Sequence, residues 1–477
     1  MSHVFSSRPR LARIAHATSL PQPQTHLAAR RTVRHTHVHL ACMCALVMAL
    51  CVPSVARAEV RADDIVLGTP ANERSIPASE LPDIAATHAL IVAKDGTAYY
   101  ERAADDPIKV ASTTKVMTAL VALEHAPLDT TITVDHAAAT VGEASAGLRE
   151  GDVMTLEEAL TGLMVASGND TAMAIATAVG ARIDPASTDP YRTFIDAMNA
   201  KATELGCKDT LFENPHGLDF GAWEGNLHAT ARDMGIIYAA AMENEQFRAL
   251  DNSDRTEMHV TSADGTPRTL PLIVRNAIRG QQGNIGGKTG TTTDAGDCFL
   301  SGFSREPGGE IYIAVYGSTS GEQRFTDTLA LANWYYGHFA TIPIANTPTS
   351  SNGTPILARV ACADWTDRTI GATLEDPKQT VTLFSLAGPL EQQIDANAVT
   401  GSVTQGATLG SVTYLQNGTA IAEAPLIAAT SQSAPQPLEW VMVQFDRVVR
   451  FFQGKPGTAE TSLLNEAPDP LAYDSWA

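Results

Sequence analysis

Acidic residues are missing from the first 58 positions, which instead hold seven arginines, Arg8, Arg10, Arg13, Arg30, Arg31, Arg34 and Arg57. The apolar run after the basic stretch, Leu40 to Val52, falls short of the roughly 20 residues that a membrane-spanning helix requires. A basic leader, a short apolar run and the small-x-small triplet Ala56-Arg57-Ala58 form the pattern of an export signal. Residues 1–58 are therefore read as a signal peptide and Glu59 as the mature start, with an uncleaved signal anchor as the alternative. Cysteine is scarce as well. Cys42, Cys44 and Cys51 leave with the signal, and the odd number that stays, Cys207, Cys298 and Cys362, implies no disulfide framework. Cys298 lies in an apolar run and reads as a packed core residue. Positive charge is also short: 33 Lys and Arg face 53 Asp and Glu, and taking seven arginines from a formal −20 leaves −27. Such a surface repels nucleic acid and anionic lipid headgroups. Charged residues at 18% and hydrophobic residues at 44% exclude a disordered or collagen-like chain. A length of 477 residues allows two or three globular domains.

What is present begins with Ala111-Ser112-Thr113-Thr114-Lys115, at the head of an apolar segment ending near His125, ahead of Pro127. On a helical segment positions i and i+3 share a face, so the Lys115 amine can reach the Ser112 hydroxyl and take its proton. That role requires a lysine pKa well below its ordinary value, through burial or neighbouring positive charge. Taken alone, Ser-x-x-Lys is also an ordinary solvated helix start. Downstream, Thr155-Leu156-Glu157-Glu158 opens a helix as a capping box, with Leu156, Ala159, Leu160, Leu163 and Met164 on one stripe. That helix delivers Ser167-Gly168-Asn169, whose hydroxyl and amide are expected to project into a cleft. Helices are also expected over 170–179, 191–205 and 230–242. Between the last two lies Glu213-Asn214-Pro215-His216-Gly217-Leu218-Asp219, a loop that either lines the site or holds His216 as a structural hydrogen-bonding residue. Ala89-Leu90-Ile91-Val92 and Thr97-Ala98-Tyr99-Tyr100 read as a hairpin, and 297–301 and 311–316 as strands. Lys288-Thr289-Gly290 before them offers a cation and a hydroxyl to a substrate carboxylate, with Gly290 admitting a close substrate backbone.

Ser112-x-x-Lys115, Ser167-Gly168-Asn169 and Lys288-Thr289-Gly290, in that order, resemble the active-site serine penicillin-recognising enzymes. Within that group the chain is similar to the low-molecular-mass penicillin-binding D-alanyl-D-alanine carboxypeptidases, peptidase family S11. The resemblance covers about residues 85 to 430, through 111–118, 167–172, 212–219 and 287–296. It implies a mixed α/β fold: a β-lactamase/transpeptidase-like catalytic domain, with a helical subdomain and an antiparallel sheet, followed by a small β-rich domain. It also implies Ser112 as nucleophile, Lys115 as base and Ser167 as proton carrier to the leaving D-alanine. Asn169 then holds the substrate amide, while Lys288, Thr289 and Arg324 meet the terminal carboxylate. The Ser112 and Thr291 backbone N–H groups form the oxyanion hole. The partners implied are peptidoglycan stem peptides and, as covalent inhibitors, β-lactams; no cofactor, metal or nucleic acid is called for.

The composition of 341–355, rich in Pro, Ser, Thr and Asn, marks a linker after a catalytic domain spanning 85–340, itself preceded by a lead-in at 59–84. A β-rich domain is expected over 356–430, with strands at 380–384, 410–415 and 419–422. In the last part, 431–477, Leu438, Val441, Met442, Phe445, Val448, Val449 and Phe452 fall on one helical face. In the resembling family this helix rests peripherally on the membrane, here through 438–452; docking on its own β domain is the other reading. The tail beyond Gly454 is expected to be loose. An exported serine DD-carboxypeptidase is the leading functional reading, beside a DD-endopeptidase and a catalytically silent peptidoglycan-binding scaffold; a β-lactamase would need a deacylating carboxylate.

Overall fold

The computed structural model describes residues 64–474. The expected signal peptide and the first residues of the lead-in lie outside them. The main sheet is antiparallel and contains β1 (Ile65–Val66), β2 (Thr69–Pro70), β3 (His88–Ala93), β4 (Ala98–Arg102), β5 (Asn284–Thr292), β6 (Gly296–Arg305) and β7 (Gly309–Ser318), in the order β2-β1-β4-β3-β7-β6-β5. Its central strands read as nearly continuous apolar runs because both faces are covered and alternate side chains go to opposite sides. Leu90, Val92, Cys298, Leu300, Tyr312 and Ala314 enter a helical core. Their neighbours Ile91, Phe299, Ile313 and Val315 enter a second core with Trp334 and Tyr335.

The helical side comprises α1 (Lys115–His125), α2 (His136–Thr140), α3 (Leu156–Val165), α4 (Asn169–Ile183), α5 (Pro190–Glu204), α6 (Ala231–Met242) and α7 (Glu245–Asp251); α8 (Gln323–Gly337) packs on the opposite face. The capping box expected at α3 is half made. Thr155 accepts from the Glu158 N–H, but the Glu158 carboxylate turns to Arg255, at 2.7 Å from both oxygens. A charged guanidinium N–H binds a carboxylate more strongly than a neutral backbone N–H does.

Two stretches read as irregular are instead built into the fold. Within the lead-in, Asp64 is buried and accepts from Arg102 at 2.7 and 2.9 Å and from the Tyr100 hydroxyl. Of the expected linker, residues 341–343 belong to β8 (Phe339–Pro343), which pairs with β9 (Thr380–Phe384), while Ser350–Ser351 and Thr354–Pro355 form a hairpin. Turn-forming residues dominate the composition there, yet Ile342 and Ile344 are fully buried. Phe384 and Leu386, from beyond the expected boundary, complete the core around Trp334, with the Phe384 ring 4.9 Å from that of Tyr99. Every chemical motif lies within 85–340, but part of that domain's own core is supplied by 384–386.

A six-stranded antiparallel sheet forms the β-rich C-terminal part, drawing on residues 358–361, 369–374, 390–395, 408–416, 419–428 and 462–463. The last of these corrects the expectation of a loose tail. Asn465 is buried as a hub, donating from Nδ2 to the Ile344 carbonyl and Gln392 Oε1 and contacting the Tyr414 hydroxyl, and Asp474 reaches the Ser385 hydroxyl. Polar composition hid a segment held by these hydrogen bonds together with the packing of Leu463 on the sheet's core and the burial of Pro470. Before it, α9 (Pro437–Phe452) buries Val443 and donates from Arg447 to the Ala363 carbonyl. Its apolar face does not dock: Leu438, Val441, Met442, Phe445, Val448 and Phe452 are each more than half exposed.

Candidate active site

Ser112 sits in a single 3-10 turn, Ala111–Thr114, that runs directly into α1. In such a turn residues i and i+3 nearly eclipse, which sets the Lys115 side chain beside the Ser112 hydroxyl. The turn is strained and wedged. Ala111 has φ 46°, a left-handed conformation that a residue with a Cβ holds only when its surroundings impose it. Those surroundings are two glycines. A Cβ on Gly217 would lie 1.8 Å from the Ala111 carbonyl oxygen, and one on Gly290 would lie 3.0 Å from the Ser112 nitrogen. Gly290 thus gives space first to the turn carrying Ser112, rather than only to a substrate backbone.

Lys115 is fully buried, and its Nζ lies 2.8 Å from Ser112 Oγ, 2.8 Å from Asn169 Oδ1 and 3.0 Å from the His216 carbonyl. Burial, then the charge of Lys288, pulls this ammonium well below the ordinary lysine value, against the opposing pull of Asp170. Two of the contacts are carbonyl oxygens that can only accept, so Nζ donates to both and directs its remaining position at the Ser112 hydroxyl.

Asn169, expected to hold a substrate amide, has both ends of its carboxamide engaged: Oδ1 with Lys115, and Nδ2 donating to the Gly142 carbonyl at 3.1 Å. It positions Lys115. The His216 ring does not line an open cleft either. It is buried edge-on against Trp223, its Nδ1 accepts from the Leu218 N–H, and its Nε2 has no hydrogen-bond partner among the described residues. Burial, with Lys115 behind it, lowers its pKa strongly, so the ring is neutral. What His216 brings to the site is its backbone carbonyl.

Ser167 holds φ 63° and accepts from Lys288 Nζ at 2.8 Å, the same ammonium donating to the Thr289 carbonyl at 2.7 Å. The Thr289 hydroxyl makes no hydrogen bond among the described residues. Arg324, in the first turn of α8, donates from Nη1 to the Gly290 carbonyl, Thr291 Oγ1 and Asp297 Oδ1 at 3.1, 2.9 and 3.3 Å. Cys298 is enclosed, with its thiol pushed up to about 12 by burial. Among the described residues no cluster of His, Cys, Asp and Glu is suited to a metal ion.

Sequence reading missed three carboxylates. Asp170, adjoining Ser-Gly-Asn, gathers the N–H groups of Ala146, Gly147, Leu148 and Thr171 and so shapes the loop that holds Asn169. Its place beside the motif was the one available signal. Asp251 is buried at the end of α7, accepts from the Tyr238 hydroxyl at 2.6 Å and leaves Oδ1 without a partner. Burial pushes this carboxyl up to about 7, with Tyr238 and Lys288 working against the rise. Lys288 is in turn pulled down to about 7 by burial, with Asp251 opposing and Arg324 and Arg275 assisting. Asp297 is the third.

A hydroxyl hydrogen-bonded to a buried lysine of lowered pKa, with a second lysine–serine pair nearby, fits an acyl-transferring serine hydrolase of the Ser–Lys type. Comparison with known proteins narrows the class. Residues 75–317 match the family model of peptidase S11, D-alanyl-D-alanine carboxypeptidase, and the chain belongs to that family. It is 32% identical over 248 residues to the D-alanyl-D-alanine carboxypeptidase of Streptomyces sp. strain K15, covering 50% of this chain and 82% of the relative. With DacF of Bacillus subtilis it shares 25% over 362 residues, covering 73% and 86%. The D-alanyl-D-alanine endopeptidase of Pseudomonas aeruginosa is 28% identical over 295 residues, covering 59% and 86%. A mutant of the Streptomyces K15 DD-transpeptidase superposes with a TM-score of 0.50 at 31% identity, covering 54% of this chain and 99% of that one. The chain is a serine-type D-Ala-D-Ala carboxypeptidase with the mixed α/β fold of the penicillin-binding proteins.

Proposed function

We propose that Ser112 Oγ attacks the carbonyl of the penultimate D-alanine of a stem pentapeptide while Lys115 Nζ takes its proton. The ester forms at Ser112, the amide bond to the terminal D-alanine breaks, and the proton reaches the leaving amine through Ser167, which Lys288 holds in place. Water then releases the tetrapeptide. The Ser112 and Thr291 N–H groups receive the oxyanion, each such donor being worth about 3 kcal/mol of barrier. Lys288, Thr289 and Arg324 meet the terminal carboxylate. The observation that carries this reading is the Lys115 amine, buried, depressed in pKa and 2.8 Å from Ser112 Oγ. Mass spectrometry of products from a defined pentapeptide and a crosslinked dimer tests it. D-alanine and tetrapeptide from the pentapeptide are expected; preferential cleavage of the dimer would favour the endopeptidase alternative instead.

Lys288 contributes positive potential, so activity declines as pH rises through its pKa. The Asp251 charge raises that pKa. Asp251→Asn should therefore move the alkaline limb of kcat/KM to lower pH, and at any fixed pH on that limb activity should fall about tenfold for every pH unit the limb moves. A limb that stays in place would remove Asp251 from this role.

The outward face of α9 supports peripheral contact with a membrane surface, and no helix among the described residues is long and apolar enough to cross one. Arg447 and Arg450 are offset by Glu439 and Asp446, so adsorption rests on apolar burial rather than charge. The chain should co-sediment with neutral phosphatidylcholine vesicles with little dependence on salt, and Phe445→Glu should release it. Equal pelleting of both proteins would show that the face plays no part. Residues 1–58 then serve as the export leader that places the enzyme at the cell wall.

A further inference from the structure

Arg324 is incompletely used. Of its five N–H bonds only those of Nη1 find acceptors; Nε is buried without one, and Nη2 donates to no acceptor among the described residues. Its one ionic partner, Asp297, stands directly across from Thr291 in the β5–β6 register and accepts from the Thr291 hydroxyl at 2.7 Å. Both charged side chains are largely enclosed, 15% and 20% exposed. The pairing is nonetheless weak in form. A single Nη1 approaches a single oxygen at 3.3 Å, the outer range of a hydrogen bond, where an arginine and a carboxylate at full strength make two parallel contacts near 2.8 Å.

We propose that Asp297 is an internal competitor in the terminal-carboxylate subsite: it occupies Arg324 loosely in the free enzyme and sets how strongly the enzyme prefers peptides ending in a free carboxylate over peptides with a neutral end. The proposal rests on the reading of Arg324 given above. An arriving carboxylate finds Nη2 unsatisfied, which favours it, and the Asp297 charge close by, which opposes it, because two carboxylates sharing one cation repel. The balance is a low selectivity for the free acid, tuned by a residue that touches Arg324 and Thr291 rather than the scissile bond.

The test compares a pentapeptide ending in free D-alanine with the same peptide amidated at its terminus, using the full chain. Asp297→Asn keeps the shape and the acceptor for the Thr291 hydroxyl while removing the charge. It should raise kcat/KM on the acid by about tenfold, through KM rather than kcat, and leave the amide within about twofold. Asp297→Ser, smaller but also neutral, should shift the acid-to-amide ratio the same way, and stoichiometric penicillin labelling reports that each variant is folded. In an Arg324→Ala background the gain should vanish, since no cation remains to be freed. If Arg324→Ala lowers the acid-to-amide ratio but neither Asp297 variant raises it, Asp297 is merely structural and the proposal is overturned. If Arg324→Ala leaves the ratio unchanged, the carboxylate reading of Arg324 itself has failed, and the proposal with it.

Discussion

Ser112→Ala is expected to lose covalent capture of a fluorescent penicillin altogether, and with it pentapeptide turnover by about 10⁴-fold or more. The acyl-enzyme has no other oxygen to form on. Thr113 Oγ1 is tied to the Val110 carbonyl at 2.6 Å and to the Tyr316 hydroxyl, and Ser167 Oγ is held by Lys288. The fold should barely respond, because Ser112 Oγ makes its hydrogen bond to Lys115 alone, worth about 1 kcal/mol. Lys115 also stays anchored by Asn169 and the His216 carbonyl. Intact-mass measurement after penicillin treatment decides the matter: one adduct per chain in the variant would take the nucleophile's role away from Ser112.

Lys115→Met carries the second large effect. It preserves bulk in a fully enclosed position while removing the base, and general-base removal costs about 10²- to 10⁴-fold. The pH profile is the sharper readout. With its pKa drawn down by burial, Lys115 gives up its proton at lower pH than an ordinary lysine and regains it as pH falls through that lowered value. Acylation of the unaltered enzyme should therefore fall on the acid side, whereas the methionine variant should be slow and without that limb. An acid limb surviving unchanged in Lys115→Met would place the base elsewhere. Some thermal stability should also be lost, since Asn169 Oδ1 and the His216 carbonyl lose a buried donor, at about 1–3 kcal/mol for each acceptor left unmet.

Much of this arrangement can be read before any coordinates. Ser112 and Lys115 announce themselves by spacing, and the strands over 297–301 and 311–316 by apolar runs that both faces of a covered sheet demand. Contacts made across long stretches of chain leave no such trace. Asp251 comes within electrostatic reach of Lys288 because α7 packs against β5, where its carboxylate lies beside Gly286, and Asp297 meets Arg324 through strand register; neither juxtaposition has a local signature. Asn169 shows the same limit in a residue whose importance was legible. Its place in Ser-Gly-Asn marks it as functional, but only the structure reveals that its carboxamide also bonds to Lys115 and to the Gly142 carbonyl. At the other end of the chain, composition misleads because a single buried Asn465 anchors what many polar residues suggest is loose. Helical periodicity likewise identifies the apolar face of α9 without saying which way it turns.

The bracketing of α9 has a consequence for where catalysis takes place. The chain enters the helix from the strand ending at 428 and leaves it for the strand at 462–463, both in one sheet, so the helix is pinned at each end to the same sheet. The helix is thus a strut rather than a tether. On the membrane-contact reading proposed above, such a strut would hold Ser112 at one height over the bilayer, and cleavage would be confined to peptide ends that reach that layer.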